Sequence, residues 1–497
     1  MMKPNKIVSS EHVTLLPNDQ KVTLGNLIKD FLYYHDDIGK SDLLNHNIPQ
    51  EHENKYIHRG FIFLSLLILI LLDRVAQPLK KLGFKFERFL NRKLIPRNGE
   101  AEIDENSDGF ISLVGHLDSR MELDKDIKQG DGRYYPALSM MAAKLAYENA
   151  SVVRNTVSRI WNMEYVDFYD CYNEFLKQNT TQAFMMQERN AENDTITVAF
   201  RGTSMFEAND WSTDFDISWL KIEGMGKIHK GFMMALGLKK CFHEDSDNLG
   251  DFYGDWPKQI EHDHEYPLAY YTIKEKLREL ISENKRAKII FTGHSLGGAL
   301  AILFPAILAL HGEVEILDRL EAIYTYGQPR VGNELFGEFM KNKFKEHNIK
   351  YYRIVYGYDI VPEVPFDNTL MTFKHFGTCI HFNSLYQAKI VEEKQIKEED
   401  KEGQKKGFRK VVIAIIKGLK ELTVARVIAV WQLIRGFIIG YIAGPDFREG
   451  WLLICARFIG ILIPSFIDHN PQDYVNSTRL ASEELFKNYS HSLSYNK

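Results

Sequence analysis

The amino-acid sequence predicts an α/β fold with a mostly parallel central sheet, and three observations carry that expectation. Four short β-branched and aromatic runs, Thr195–Phe200, Lys288–Thr292, Ala322–Tyr326 and Tyr351–Tyr356, read as strands. Stretches of helical periodicity separate them, which is the rhythm of strand–helix–strand units. Each run closes on a glycine-bearing loop: Arg201-Gly202-Thr203, Gly293, Gly327-Gln328-Pro329 and Gly357-Tyr358-Asp359. The second run passes through Gly293-His294-Ser295-Leu296-Gly297 into the small apolar stretch Ala299–Ala306, a strand–turn–helix around G-x-S-x-G. So tight a turn needs flanking residues without a Cβ, which Gly293 and Gly297 supply.

Composition bounds the rest. The chain has 497 residues, 44% of them hydrophobic and 12% aromatic, enough for one enlarged catalytic domain with appendages. A net charge of −5, with no basic domain, argues against nucleic acid as a partner. Cys171, Cys241, Cys379 and Cys455 are scattered, so a reducing compartment is expected rather than a disulfide framework. Residues 1–41 lack the apolar core of a signal peptide. No metal-ligand spacing or phosphate-cradling loop is visible, and no cofactor is expected.

Taken in order, residues 1–55 are polar, with a short helix expected around Leu27–Tyr34. Residues 56–94 hold the uncharged run Gly60–Leu72, preceded by Arg59 and followed by Arg74, Lys80, Lys81, Lys85, Arg88, Arg92 and Lys93. That run is shorter than the roughly 20 apolar residues a bilayer span needs. Its basic flank fits an interfacial anchor, with a buried core helix and a short span as alternatives. Residues 95–388 form the expected catalytic core. Within it Leu94–Asp131 reads as a linker, Tyr135–Leu176 as helical, and Met205–Leu220 as an aromatic-rich loop able to cover an apolar site. Leu268–Ile281 places Ile273, Leu277, Leu280 and Ile281 on one helical face, with Lys274 off it.

Residues 389–464 read as a charged linker, Lys389–Lys410, followed by amphipathic helices over Val411–Pro464 split at Gly444-Pro445-Asp446. Lys417, Lys420, Glu421, Arg426, Arg435 and Arg448 argue against a clean membrane span there. Residues 465–497 hold the turn-rich loop Ile467–Tyr474 and a polar tail.

The motif at Ser295 implies a serine nucleophile. A hydroxyl needs an imidazole to take its proton and a carboxylate to orient the imidazole, in chain order Ser, Asp, His on this architecture. Asp359 follows a strand's C-terminal end, on the side of Ser295; Asp318 precedes a strand and Asp367 lies further on. The later histidines are His375, His381, His469 and His491, and spacing leaves His375 and His469 level. The intermediate's oxyanion needs N–H donors. Leu296, after the nucleophile, supplies one, and Thr203, after the strand ending at Phe200, the other. His294, beside the nucleophile, reads as structural, its side chain diverging from Ser295.

With those residues placed, the chain resembles the class 3 lipase family. The resemblance rests on Ala199–Thr203, Ile228–Phe232, Thr292–Leu300, Tyr324–Asn333 and Asp359–Pro362. Phe373–Cys379, Gly444–Trp451 and Pro471–Ser477 are similar to the plant oil-body triacylglycerol lipases over most of the chain. The resemblance implies an α/β-hydrolase fold, a lid near the oxyanion strand, and a triad of Ser295, Asp359 and His469. It selects His469 through its His-x-x-x-x-Tyr context. It also implies triacylglycerol as substrate, hydrolysed by an acyl-enzyme route, and attachment to the cytoplasmic face of lipid-droplet or membrane surfaces. The path from Asp359 to His469 is far longer than in the smaller fungal relatives, so the 389–464 insert is expected to dock on membrane or form a lipid-facing wall. A phospholipase or galactolipase A1, and a droplet-coating protein with a dead hydrolase domain, are the rival readings. Apolar surfaces at both ends also suit self-association.

Overall fold

A computed structural model describes residues 78–92 (except 79), 106–392 (except 108, 174–175, 190–193, 204–218, 239–257, 260–264 and 366–372) and 407–492 (except 463). The expected helix at Leu27–Tyr34, the Gly60–Leu72 run and most of the Met205–Leu220 loop lie outside the described residues.

Ten strands are described: β1 Glu164–Asn173, β2 Gln178–Glu188, β3 Thr195–Phe200, β4 Trp219–Ile222, β5 Gly226–His229, β6 Lys288–His294, β7 Leu320–Tyr326, β8 Lys350–Tyr356, β9 Thr378–Phe382 and β10 Ala388–Glu392. Eight of them form one sheet in the order β1-β2-β3-β6-β7-β8-β9-β10, and β4 and β5 form a separate hairpin. β3, β6, β7, β8 and β9 run parallel, while β1, β2 and β10 extend the edges antiparallel. Every residue of β3 is buried, as is β6 from Ile289 to His294. Continuous apolar runs of this kind mark parallel strands covered on both faces.

The covering layers follow from the sequence. The helix Leu296–His311 is apolar on nearly all sides and buried from Leu296 to Leu308. It packs with the helices Ala269–Glu283 and Glu334–His347 in one large cluster that includes Phe200, Phe291, Ile323, Ile273, Phe304 and Phe336. The helices Tyr134–Leu145 and Pro471–Leu480 cover the opposite face, through Met140, Ala143, Tyr474 and Val475 against Ile290, Tyr326 and Ile354. Each fully buried aliphatic or aromatic side chain contributes roughly 1.5–3 kcal/mol. The sheet end at Ser295 is thus held between two cores.

Several sequence expectations change. Helix gives way to β1 and β2 after Ile160, because the stretch is rich in β-branched and aromatic residues, of which Tyr165, Phe168 and Tyr169 pair across to Met186, Phe184 and Ala183. The stretch expected as a linker is packed instead: Ser112 caps the short helix Leu113–Leu117, and Leu113, Val114 and Leu117 are buried. Lys389–Glu392 pairs as an edge strand with β9 rather than lying free. Trp219 and Leu220 are strand residues of β4, not loop. Lys274 turns inward, 3.6 Å from Glu313, although its neighbours suggest a solvent face. The loop expected over Ile467–Tyr474 is mostly helical: Asn470 caps the helix that Pro471 opens, its side chain accepting from the Gln472 amide. The polar tail forms a helix, Glu483–Ser492, that seats Phe486 on Tyr352.

Candidate active site

The turn at Ser295 is strained and over-determined. Ser295 has φ 59° and ψ −132°, a backbone region that costs a non-glycine residue about 1–3 kcal/mol. Its amide donates to the Tyr326 carbonyl at 2.9 Å, and its carbonyl accepts from Gly298 N at 2.9 Å. A Cβ on Gly293 would stand 2.2 Å from the Gly297 backbone, and one on Gly297 would stand 2.2 Å from the Phe200 carbonyl oxygen. Both glycines are therefore obligatory, and the second brings the helix N-terminus against the end of β3. There the amides of Leu296 and Gly297 open the helix, where an N-terminus favours negative charge. Thr203 follows β3 and is buried.

Asp359 lies just after β8. Its backbone amide donates to Tyr356 O at 3.1 Å, and its Oδ1 accepts from the Val361 amide at 2.9 Å. Its Oδ2 meets His469 Nδ1 at 2.7 Å and also accepts from the Tyr474 hydroxyl. Nδ1 therefore carries the proton in this pair, and the tautomer leaves Nε2 as the basic nitrogen. His469 sits between the helices Pro464–Ile467 and Pro471–Leu480, brought to Asp359 from 110 positions further along the chain. A Cβ on Gly327 would fall 2.8 Å from Asp359 Oδ2, 2.9 Å from His469 Cε1 and 2.9 Å from the Tyr474 hydroxyl. Since Gly327 directly follows Tyr326, whose carbonyl holds Ser295, serine, aspartate and histidine gather at one corner of the sheet.

The other histidines go elsewhere. His375 Nε2 donates to Pro362 O at 2.7 Å and His381 Nε2 to Gly357 O at 2.9 Å. Asp318 binds His347 at 2.7 Å before β7. His294 does more than fill space. Its ring stacks on that of His469, centroids 4.4 Å apart, and its Nδ1 is 2.8 Å from the Tyr147 hydroxyl. Burial, with the neighbouring His469 adding to it, holds the His294 imidazole well below its usual range, so it is neutral.

A cavity opens beside this cluster. Thr203, Tyr147, His294 and His469 line one side, and Val114, Leu117, Ala456, Phe466 and Ile467 give it an apolar wall. Ser295 itself is only 1% exposed, so this conformation is closed around the serine. Among the described residues no group of three or more His, Cys, Asp or Glu could hold a metal ion.

Beyond these groups stands a buried ionic cluster that the sequence reading missed. Arg457 forks onto Glu449 at 2.5 and 2.7 Å and reaches Asp473 at 3.0 Å. Arg435 reaches the same Asp473 oxygen at 2.8 Å and the Tyr356 hydroxyl at 2.7 Å. Asp468, next to His469, accepts from the Tyr358 amide at 2.6 Å and from Gln432 at 2.9 Å. The cluster ties the helices Gly407–Ile442 and Trp451–Gly460 to the segment that carries His469. Its one sequence signal is that Arg435 and Arg457 interrupt otherwise apolar stretches.

Residues 197–369 match the family model Lipase (class 3). The triacylglycerol lipase OBL1 of Nicotiana tabacum is 37% identical over 92% of this chain and 88% of its own length. The protein of the same name from Arabidopsis thaliana is 37% identical over 86% of each chain. Among solved structures, the Rhizomucor miehei triacylglyceride lipase aligns over 51% of this chain and 79% of its own, at 21% identity and a TM-score of 0.36.

Proposed function

This chain belongs to the class 3 lipase family, and from that premise we propose that it hydrolyses triacylglycerol through an acyl-enzyme on Ser295. The observation that carries the residue roles is the 2.7 Å contact of His469 Nδ1 with Asp359, beside the turn that strains Ser295. Ser295 Oγ attacks the ester carbonyl while His469 Nε2 takes its proton. Asp359 holds the imidazole in the required tautomer and balances the imidazolium. The oxyanion is received by the amides of Leu296 and Thr203. Collapse expels the diacylglycerol alkoxide, which takes the proton from His469. Water, deprotonated by the same nitrogen, then attacks the acyl carbonyl and releases the fatty acid. His294 stays neutral throughout and gives the reacting imidazole a flat wall without competing for its proton.

The substrate is met at the surface of stored neutral lipid, on its cytoplasmic face. The apolar wall of the cavity and the uncharged Gly60–Leu72 run support that placement. Ser295→Ala is expected to lower turnover of emulsified triacylglycerol by at least about 10³-fold and to abolish fluorophosphonate labelling, with droplet binding intact. Normal turnover in that variant overturns the residue roles. Parallel assays on phospholipid and galactolipid vesicles decide the substrate class, and faster hydrolysis there overturns triacylglycerol.

A further inference from the structure

The helix Gly407–Ile442 is inside out over its described side chains, from Thr423 onward. Val427, Trp431, Ile434, Phe437, Ile438 and Tyr441 recur at spacings of three and four and are all exposed. Between Val427 and Ile442 the one charged residue, Arg435, is buried, as is Gln432. A helix on a water-facing surface arranges these classes the other way. The helix Trp451–Gly460 repeats the inversion, with Trp451, Phe458 and Ile459 exposed and Arg457 1% exposed.

The apolar face is continuous with the candidate active site. Ala456, from the second helix, and Phe466, which is 37% exposed, both line the cavity beside His469. The helix 80–92 adjoins it, with Leu90 and Phe86 packed among Leu453, Leu452 and Ala456. That helix exposes Leu82 and Phe89 among the basic residues Lys80, Lys81, Lys85 and Arg92. The uncharged run Gly60–Leu72 ends eight positions before Lys80, so the linking chain reaches at most about 27 Å.

We propose that this face docks the protein on a phospholipid-coated oil surface, with the mouth of the cavity opening onto the lipid. Thr423–Ile442 is long and apolar enough to cross a membrane. One side of it, however, is held by buried polar contacts to Tyr356, Asp468 and Asp473, so the helix lies along the lipid rather than through it. Three features select lipid over a protein partner. The exposed stripe offers almost no polar side chain. Its Trp431, Tyr441 and Trp451 are the aromatic types that settle at a lipid–water boundary. The neighbouring cluster of basic residues suits anionic head groups. The value of such docking to the enzyme rests on the lipase reading; the docking itself does not.

The test uses the full chain carrying Ser295→Ala, so that binding is read without turnover, and triolein droplets coated with phosphatidylcholine and phosphatidylserine. Adding Ile434→Glu and Phe437→Glu, both exposed positions, is expected to lower the droplet-bound fraction in flotation at least about tenfold. With Ser295 restored, the same pair is expected to leave hydrolysis of a soluble short-chain ester within about twofold while triacylglycerol turnover falls. Unchanged flotation overturns the proposal, as does an equal loss on the soluble ester, which would place the face in the folded core. A shift from dimer to monomer with flotation intact also overturns it, in favour of a second copy of the chain. A chain that floats normally but hydrolyses no ester supports the docking face and overturns the catalytic reading alone.

Discussion

One methyl group tests the geometry of the whole triad. Gly327 has φ 57°, and a Cβ there would enter the contact shells of Asp359, His469 and Tyr474 together, at 2.8, 2.9 and 2.9 Å. Ordinary carbon contacts lie near 3.5–4.0 Å, so each group must retreat by about half an ångström or more. Left-handed backbone adds about 1–2 kcal/mol of destabilisation whatever the space. That second effect is isolated by Gly312, which caps the helix after Ser295 with φ 69° and whose added Cβ would meet nothing closer than Lys258 Nζ at 3.9 Å. A misplacement of about 1 Å can cost 10²-fold in rate. Gly327→Ala is therefore expected to lower kcat on a soluble short-chain ester by about 10–10²-fold, with KM within about threefold, whereas Gly312→Ala keeps kcat near wild type. In chemical denaturation Gly327→Ala should lose more stability than Gly312→Ala, because it adds overlap with three side chains to the backbone penalty that both share. If Gly327→Ala retains kcat within a factor of about two while folded, the three groups do not form the reacting cluster.

Two further perturbations address the support behind the site. Arg457→Met leaves Glu449 and Asp473 buried and short of a cation, and is expected to destabilise the fold by about 3–5 kcal/mol. Adding Glu449→Gln should recover part of that loss, read from denaturation midpoints, and no recovery would dispute the pairing. Burial, with Asp473 and Asp359 nearby, pushes the Asp468 carboxyl up to about 7 from 3.8. The folded state then binds a proton that the unfolded state releases, so this contribution is complete below about pH 4, shrinks as pH rises and is lost above about pH 7. At the limit it is worth roughly 4 kcal/mol. Asp468→Asn should gain stability relative to wild type as pH rises from about 5 to about 8, and parallel curves for the two proteins would refute the shift.

Much of this was legible in the sequence, for physical reasons that differ from element to element. β3, β6, β7 and β8 announced themselves because doubly buried strands must be apolar throughout. Ser295 and Asp359 could be placed because both follow strand ends by a fixed turn, and chain order then does the geometry. His469 could not be placed that way. Its position depends on a helix cap, Asn470-Pro471, and on contacts from residues scattered along the insert, so spacing left it level with His375. β1 was lost because an edge strand has one solvated side, and its Asp167 and Asp170 blur the period. Tyr147 carries no motif-scale signal by itself, and Tyr474 carries one only as the tyrosine of the His-x-x-x-x-Tyr context. Each matters only through one hydroxyl, held against His294 and Asp359 respectively.

The insert also explains how a histidine so far along the chain can be held in place. Apolar packing alone tolerates small slides between helices, because one methyl contact is much like the next. An ionic seat does not: Asp473, four residues after His469, accepts from Arg435 at 2.8 Å and Arg457 at 3.0 Å through a single oxygen. On the other side of the histidine, Asp468 is fixed between Gln432 and the Tyr358 amide. Buried pairs of this kind add little net stability compared with a well-packed apolar core, and the role we propose for them here is register. They face inward from the same helix whose outer face is apolar. Polar residues on the inside position His469, and apolar residues on the outside leave that helix nothing to gain from water. Displacement of the helix by a lipid surface would therefore reach His469 through two carboxylates on either side of it, without passing through the sheet.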